Sequence, residues 1–218
     1  MMETTTLPFY YVVEGDPDEA ILKRLSKEIG IGLGKCYFKG GKSEIKDRIR
    51  AYNNYARFMP LIVLIDLDKP KKSKPSENIK DSQNCAPILK SDWLPNPAQY
   101  MCFRIAVREI EAWLLADTNN ISRFLYISVS LIPPKPEMLD DPKQVMVNLA
   151  RKSRKRDIRD DMIPREGSGH EVGQLYNSRL VEFILNYWSP DEAVKKSDSL
   201  YRCISRLKEL KAKMENKT

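Results

Sequence analysis

The chain has 218 residues, 42% hydrophobic and 31% charged, with a formal net charge of +7. That balance excludes wholesale disorder, and the length suits one core domain with an elaboration, or two small domains. No apolar stretch approaches the ~18 residues of a membrane span, and no basic region followed by an apolar run opens the chain, so neither a membrane helix nor a signal peptide is expected.

The first apolar run, Phe9 to Val13, has the aromatic and β-branched character of a buried strand. It ends at Glu14-Gly15. Asp16 then suits an N-cap and Pro17 the first helical position, with Asp18 and Glu19 at the positive end of a helix. This helix carries Ala20, Ile21, Leu22, Leu25 and Ile29 before Gly30, Gly32 and Gly34 break it. Lys35–Lys39 reads as a short strand, Gly40-Gly41 as a turn, and Ser43–Arg57 as a basic amphipathic helix with Ile45, Ile49 and Tyr52 inward. Leu61–Ile65 is a continuous apolar strand, buried on both faces, and ends at Asp66-Leu67-Asp68. Residues 69–84 are polar and lysine-rich and read as a loop.

Gln99–Ala106 is a further strand, running into a helix over Val107–Ala116. Pro133, Pro134 and Pro136 mark a junction. Helices are expected over Asp140–Ala150, Ser178–Trp188 and Ser197–Met214, the last with Leu200, Ile204 and Leu207 on one stripe. Alternating strands and helices predict an α/β fold: a mainly parallel sheet with helices on both faces, plus a C-terminal helical elaboration. The core is expected over residues 1–133, with the helical part, 134–218, packed on it.

The cysteines Cys36, Cys85, Cys102 and Cys203 have no zinc-like spacing, and His170 is the only histidine. A Cys/His zinc site is therefore not expected, and the cysteines read as reduced packing residues of a cytoplasmic protein. A Ser/His/Asp or Cys/His nucleophile would need His170. That residue lies in a Gly-Ser-Gly-His stretch without triad spacing.

The acidic residues carry the chemistry. Ligands of parallel sheets bind at the carboxyl ends of strands. Glu14 and Asp66 each follow an apolar strand directly, where sheet stability requires no carboxylate. Asp68 shares a face with Asp66 if the backbone stays extended for two more residues. Carboxylates on one face repel, and a hard divalent cation, Mg²⁺ or Mn²⁺, removes that penalty. The competing reading is a pair of strand-end turn residues.

Val13-Glu14-Gly15-Asp16-Pro17-Asp18-Glu19 resembles the first toprim motif, and Leu64-Ile65-Asp66-Leu67-Asp68 the second. These motifs occur in topoisomerases, primases, a ribosomal RNA maturase and the OLD-type (overcoming lysogenization defect) nucleases. The resemblance covers roughly residues 8–117 and extends to a Glu-x-Trp block, Glu111-Ala112-Trp113, within Arg104–Asp117. Gly173–Leu180 and Ser197–Leu200 are similar to the C-terminal part of small, uncharacterised OLD relatives. The resemblance implies a toprim-like core and a metal-dependent nuclease. Glu14, Asp66, Asp68 and Glu111 would be catalytic, and Glu14, Asp18, Asp66 and Asp68 metal ligands. Such proteins are often encoded beside P-loop ATPases in bacterial anti-phage defence loci. Glu109 and Glu111 would lie about 200° apart on a helix, so only one of them can face the site.

The positive charge favours polyanions, nucleic acid first. Lys69, Lys71 and Lys72 leave the acidic strand end, Arg104 and Arg108 lie near it in sequence, and Arg151 and Arg154 belong to a dense basic run reaching Arg159. These are the candidate phosphate contacts; a solvated charged surface is the alternative. Gly30-x-Gly-x-Gly34 follows a helix rather than opening one, so it is not a dinucleotide fingerprint, and without a Walker A motif an ATPase partner must be a separate chain. Two functions remain: a metal-dependent phosphodiesterase on DNA or RNA, or a non-catalytic nucleic-acid-binding or sensor subunit of an ATPase complex.

Overall fold

Four short apolar runs build the sheet. In the computed structural model, which describes residues 7–68 and 85–216, they are β1 (Phe9–Val13), β2 (Leu33–Lys39), β3 (Leu61–Asp66) and β4 (Met101–Ala106). Every pairing is parallel, in the order β2-β1-β3-β4. Leu61–Ile65 are all buried. Their unbroken apolar character follows from cover on both faces: Ile62 and Leu64 join one core cluster, and Leu61, Val63 and Ile65 the other.

On the first face lie α1 (Asp16–Ile29), α4 (Ile110–Ala116), α6 (Pro142–Arg151), α8 (Tyr176–Asn186) and α10 (Asp198–Glu215). On the second lie α2 (Lys42–Tyr55) and α3 (Ala86–Trp93), through Ile45, Ile49 and Leu89. The shorter helices α5 (Thr118–Phe124), α7 (Arg156–Met162) and α9 (Pro190–Ala193) complete the chain. The expected α/β class with helices on both faces is observed. The C-terminal helices share one continuous core with α1 and the sheet, anchored by the fully buried Trp113, Trp188 and Phe183. Among the described residues, no helix is long and apolar enough to cross a membrane.

Several boundaries differ from the expectation. The N-cap of α1 is Gly15, not Asp16. Asp16 instead pairs with Lys39 at 2.7 Å, while Asp18 Oδ2 accepts the Gly15 amide at 2.9 Å. Gly30 closes α1 with φ 70°, a left-handed conformation that glycine adopts without penalty. Helix α4 starts at Ile110 rather than Val107. The pairing with β3 is prolonged past the strand ends, Leu67 N donating to Ala106 O and Asp68 N to Arg108 O, so residues 107 and 108 form a bend and the extended Glu109 caps the helix. Helices α3, α5, α7 and α9 had no counterpart in the expected elements.

The strand order fixes where a site belongs. From β1 the chain crosses to β2 on one side, and β3 then returns to pair with the other side of β1. The carboxyl ends of β1 and β3 therefore flank a topological switch point, the crevice where open parallel sheets bind ligands.

Candidate functional site

Glu14 and Asp66 leave β1 and β3 at that crevice. Glu14 Oε1 accepts the Asp66 amide at 2.8 Å, and Asp66 Oδ1 accepts the Ile110 amide at 3.0 Å. The first turn of α1 adds Asp18, 6% exposed, and the first turn of α4 adds Glu111, 2% exposed. The Tyr176 hydroxyl donates to Glu111 Oε1 at 3.0 Å. Asp18 Oδ1 and Glu111 Oε2 are buried and lack a hydrogen-bond partner. Buried carboxylate oxygens are rarely left unsatisfied, and two in one acidic cluster make it a candidate for a positively charged ligand.

The four carboxylates act on one another. Burial, then the charges of Glu14 and Glu111, push Asp18 up to about 7. Burial, then Asp18, Glu111 and Glu14, raise Asp66 well above the carboxylate range. Glu14 is raised by burial, opposed by the bond from the Asp66 amide, and Glu111 is raised by burial, opposed by the charge of Lys143. Clustered carboxylates forced toward protonation are a common mark of a functional site.

Two lysines border the cluster. Lys143, on α6, approaches Glu109 Oε1 at 3.4 Å and Glu111 Oε1 at 3.9 Å. Burial lowers its affinity for a proton, but Glu111, Glu109 and Asp66 outweigh that and hold it charged. Lys42, on α2, donates to Asp66 O at 2.6 Å, Leu67 O at 3.2 Å and Asp68 Oδ2 at 2.6 Å. Neither lysine carried a motif. Only the fold shows that the first turn of α6 and the start of α2 reach the crevice.

Of the expected site residues, Glu14, Asp18, Asp66 and Glu111 converge. Asp68 is placed differently. The extended strand ends at Asp66, and Asp68 has φ 68° and turns its carboxylate to Lys42, at the rim of the pocket. Glu109 is not on the helix at all. It is the extended N-cap residue of α4, so the 200° separation does not apply, and its Oε2 accepts the Lys143 amide at 2.8 Å, holding the start of α6.

The basic candidates disperse. Lys69, Lys71 and Lys72 lie outside the described residues. Arg108 borders the pocket through its carbonyl, which accepts the Asp68 amide at 2.8 Å. Arg104 lines a separate groove along β4. Arg151 sits in the last turn of α6, about 12 Å along the helix from Lys143. Arg154 lines a further groove with Tyr126 and Arg179.

The structure thus defines an α/β protein with an all-parallel four-stranded sheet and an acidic cluster at its switch point. Comparisons with protein-family models, with curated proteins and with solved structures give no match to the chain.

The donor set is all oxygen, two of its oxygens lack partners, and such ligands suit Mg²⁺ or Mn²⁺. Among the described residues, no three His, Cys, Asp or Glu side chains stand in the geometry of a ready-made metal cage. Mg²⁺ does not need one, since it keeps several waters and is commonly held by one or two carboxylates.

Proposed function

We propose that the protein is a metal-dependent phosphodiesterase of the toprim kind, acting on DNA or RNA. The observation that carries this reading is the convergence of Glu14, Asp18, Asp66 and Glu111, with partnerless buried oxygens on Asp18 and Glu111. Asp66 and Glu14 are the first ligands for Mg²⁺ or Mn²⁺, with Asp18 and Glu111 completing the acidic wall. When bound, such an ion neutralises charge at a scissile phosphate and lowers the pKa of a bound water. Ile110 N and Asp66 N fix the orientation of the Asp66 and Glu14 carboxylates, and Tyr176 fixes Glu111. Placement of ligands by hydrogen bonds of this kind governs metal affinity.

One observation favours the rival reading, a non-catalytic nucleic-acid-binding or sensor subunit: Lys143 already supplies a positive charge to Glu109 and Glu111. The test is cleavage of mixed DNA and RNA with Mg²⁺, Mn²⁺ or EDTA, using Asp66→Asn as control. Asparagine keeps an oxygen for the Ile110 amide and removes the charge. Cleavage that needs the metal and is lost in the variant supports the enzyme. Cleavage that survives the substitution overturns it, and salt-sensitive binding without turnover supports the rival.

A further inference from the structure

A groove lies along the edge strand β4, beside the acidic cluster and lined by other residues. It runs between α3, β4 and α10 with a volume of about 600 Å³, a size in the range of small-ligand sites. Its walls carry Lys90, Arg104 and Arg206. Among the described residues, neither Lys90 nor Arg104 has an ion-pair partner, and the Arg104 Nε is buried without an acceptor. The groove's carboxylates already have partners: Glu137 accepts from Ser197 and Ser199, Asp198 pairs with Arg202, and Glu209 pairs with Arg206, which also donates to Met101 O, so Lys90 and Arg104 are the groove's cations without a counter-charge among the described residues. Burial and then the charges of Arg104 and Arg206 hold Lys90 below the usual lysine range, so these cations lie close enough to repel. Like charges gathered in a half-buried groove are an unfavourable arrangement that an anion relieves.

The anion's chemistry follows from the walls. Arginine forks match phosphate oxygens. Tyr201, 59% exposed at the rim, offers a flat ring for a base, and base–aromatic stacking is a general device of nucleic-acid binding. The location also fits. Arg104 pairs with Leu64 and Ala106 with Asp66, so Arg104 and Asp66 project from the same sheet face, about 7 Å apart along the strand direction.

We propose that this groove binds a nucleotide phosphate, with Lys90 and Arg104 holding the phosphate oxygens, Arg206 adding positive charge at the wall and Tyr201 stacking on the base. The site needs no metal and stands whether or not the acidic pocket cuts anything.

The test is binding in EDTA, by calorimetry with AMP and by anisotropy with a short labelled single-stranded DNA. Arg104→Met and Lys90→Met are each expected to weaken binding about tenfold or more, while Lys27→Ala, an exposed residue of α1 outside the groove lining, changes it less than about twofold. AMP binding comparable to that of the strand assigns a free nucleotide, and much tighter strand binding assigns a polynucleotide. Should Arg104→Met fail to fold, Lys90→Met decides. Unchanged affinity in the folded variants, an equal loss in Lys27→Ala, or no binding of either probe to the unmodified chain overturns the proposal.

Discussion

The Asp66 amide donates to the Glu14 carboxylate at 2.8 Å, tying together the carboxyl ends of the two central strands. This bond makes Glu14 part of the architecture of the crevice as well as of its charge. Asp66 therefore contributes twice, through its backbone to Glu14 and through its carboxylate to the Ile110 amide.

A substitution that separates these roles is Asp66→Asn. The backbone bond and an oxygen for Ile110 remain, so the fold should survive with a melting temperature near that of the unmodified chain. Metal-dependent cleavage should fall by about 10²-fold or more, as expected when a charged ligand is lost from a catalytic centre. Steady-state cleavage rates alongside thermal melts check both halves.

Asp18 sets a pH dependence. Its pKa is pushed from 3.8 up to about 7, first by burial and then by Glu14 and Glu111. The folded state thus binds a proton more tightly than the unfolded chain, so this proton stabilises the fold fully below the unfolded value and stops doing so as pH rises through about 7. In EDTA, stability should decline across that window. Asp18→Asn should flatten the decline and be the more stable protein at about pH 8, by on the order of 2 kcal/mol. Urea midpoints measured at several pH values give the comparison.

Lys143 is the counter-charge of the metal-free pocket. Lys143 is half-buried and its carboxylate partners are buried, so removing it leaves them uncompensated, and Lys143→Met in EDTA should lose roughly 1–3 kcal/mol, less than for a fully buried pair. Added Mg²⁺ should restore more stability to this variant than it adds to the unmodified chain, because the ion takes over the neutralising role. Denaturant titrations with and without Mg²⁺ measure the difference. Equal Mg²⁺ responses would show that the ion and the lysine do not act on the same carboxylates.

The pocket is also held from behind. A Cβ at Gly173 would lie 2.2 Å from Asp161 O and 2.7 Å from Met162 C, both backbone atoms. Gly173→Ala must therefore displace the backbone just before Tyr176, which orients Glu111. A loss of about 2–4 kcal/mol is expected, a size reserved for specific steric or buried-polar defects. Thermal denaturation tests it directly.

Much of this arrangement was legible in the chain itself. The apolar runs ending in Glu14 and Asp66 gave strand identity, and parallel order made their ends the site. Asp18 and Glu111 followed from motif resemblance, and the structure seats both in the pocket. The strand order was not legible, because spacing along a chain does not say on which side of β1 a strand pairs; that order is what puts Glu14 next to Asp66. Asp68 was misplaced because periodicity assumes a continuing strand, whereas Lys42 captures the chain as it turns. Helix α3 escaped notice because Ala86–Trp93 has a single buried apolar residue, Leu89, and so no stripe. Lys143 and Lys42 reach the pocket from α6 and α2, and nothing in their local sequence marks that approach.

The central claim is that the switch-point pocket takes a hard divalent cation. Calorimetric titration of Mn²⁺ into the metal-free chain and into Glu14→Gln and Asp66→Asn tests it most directly. The account predicts saturable binding to the unmodified chain and at least about tenfold weaker binding to each variant. Equal binding to all three proteins, or no saturable binding to the unmodified one, would contradict it.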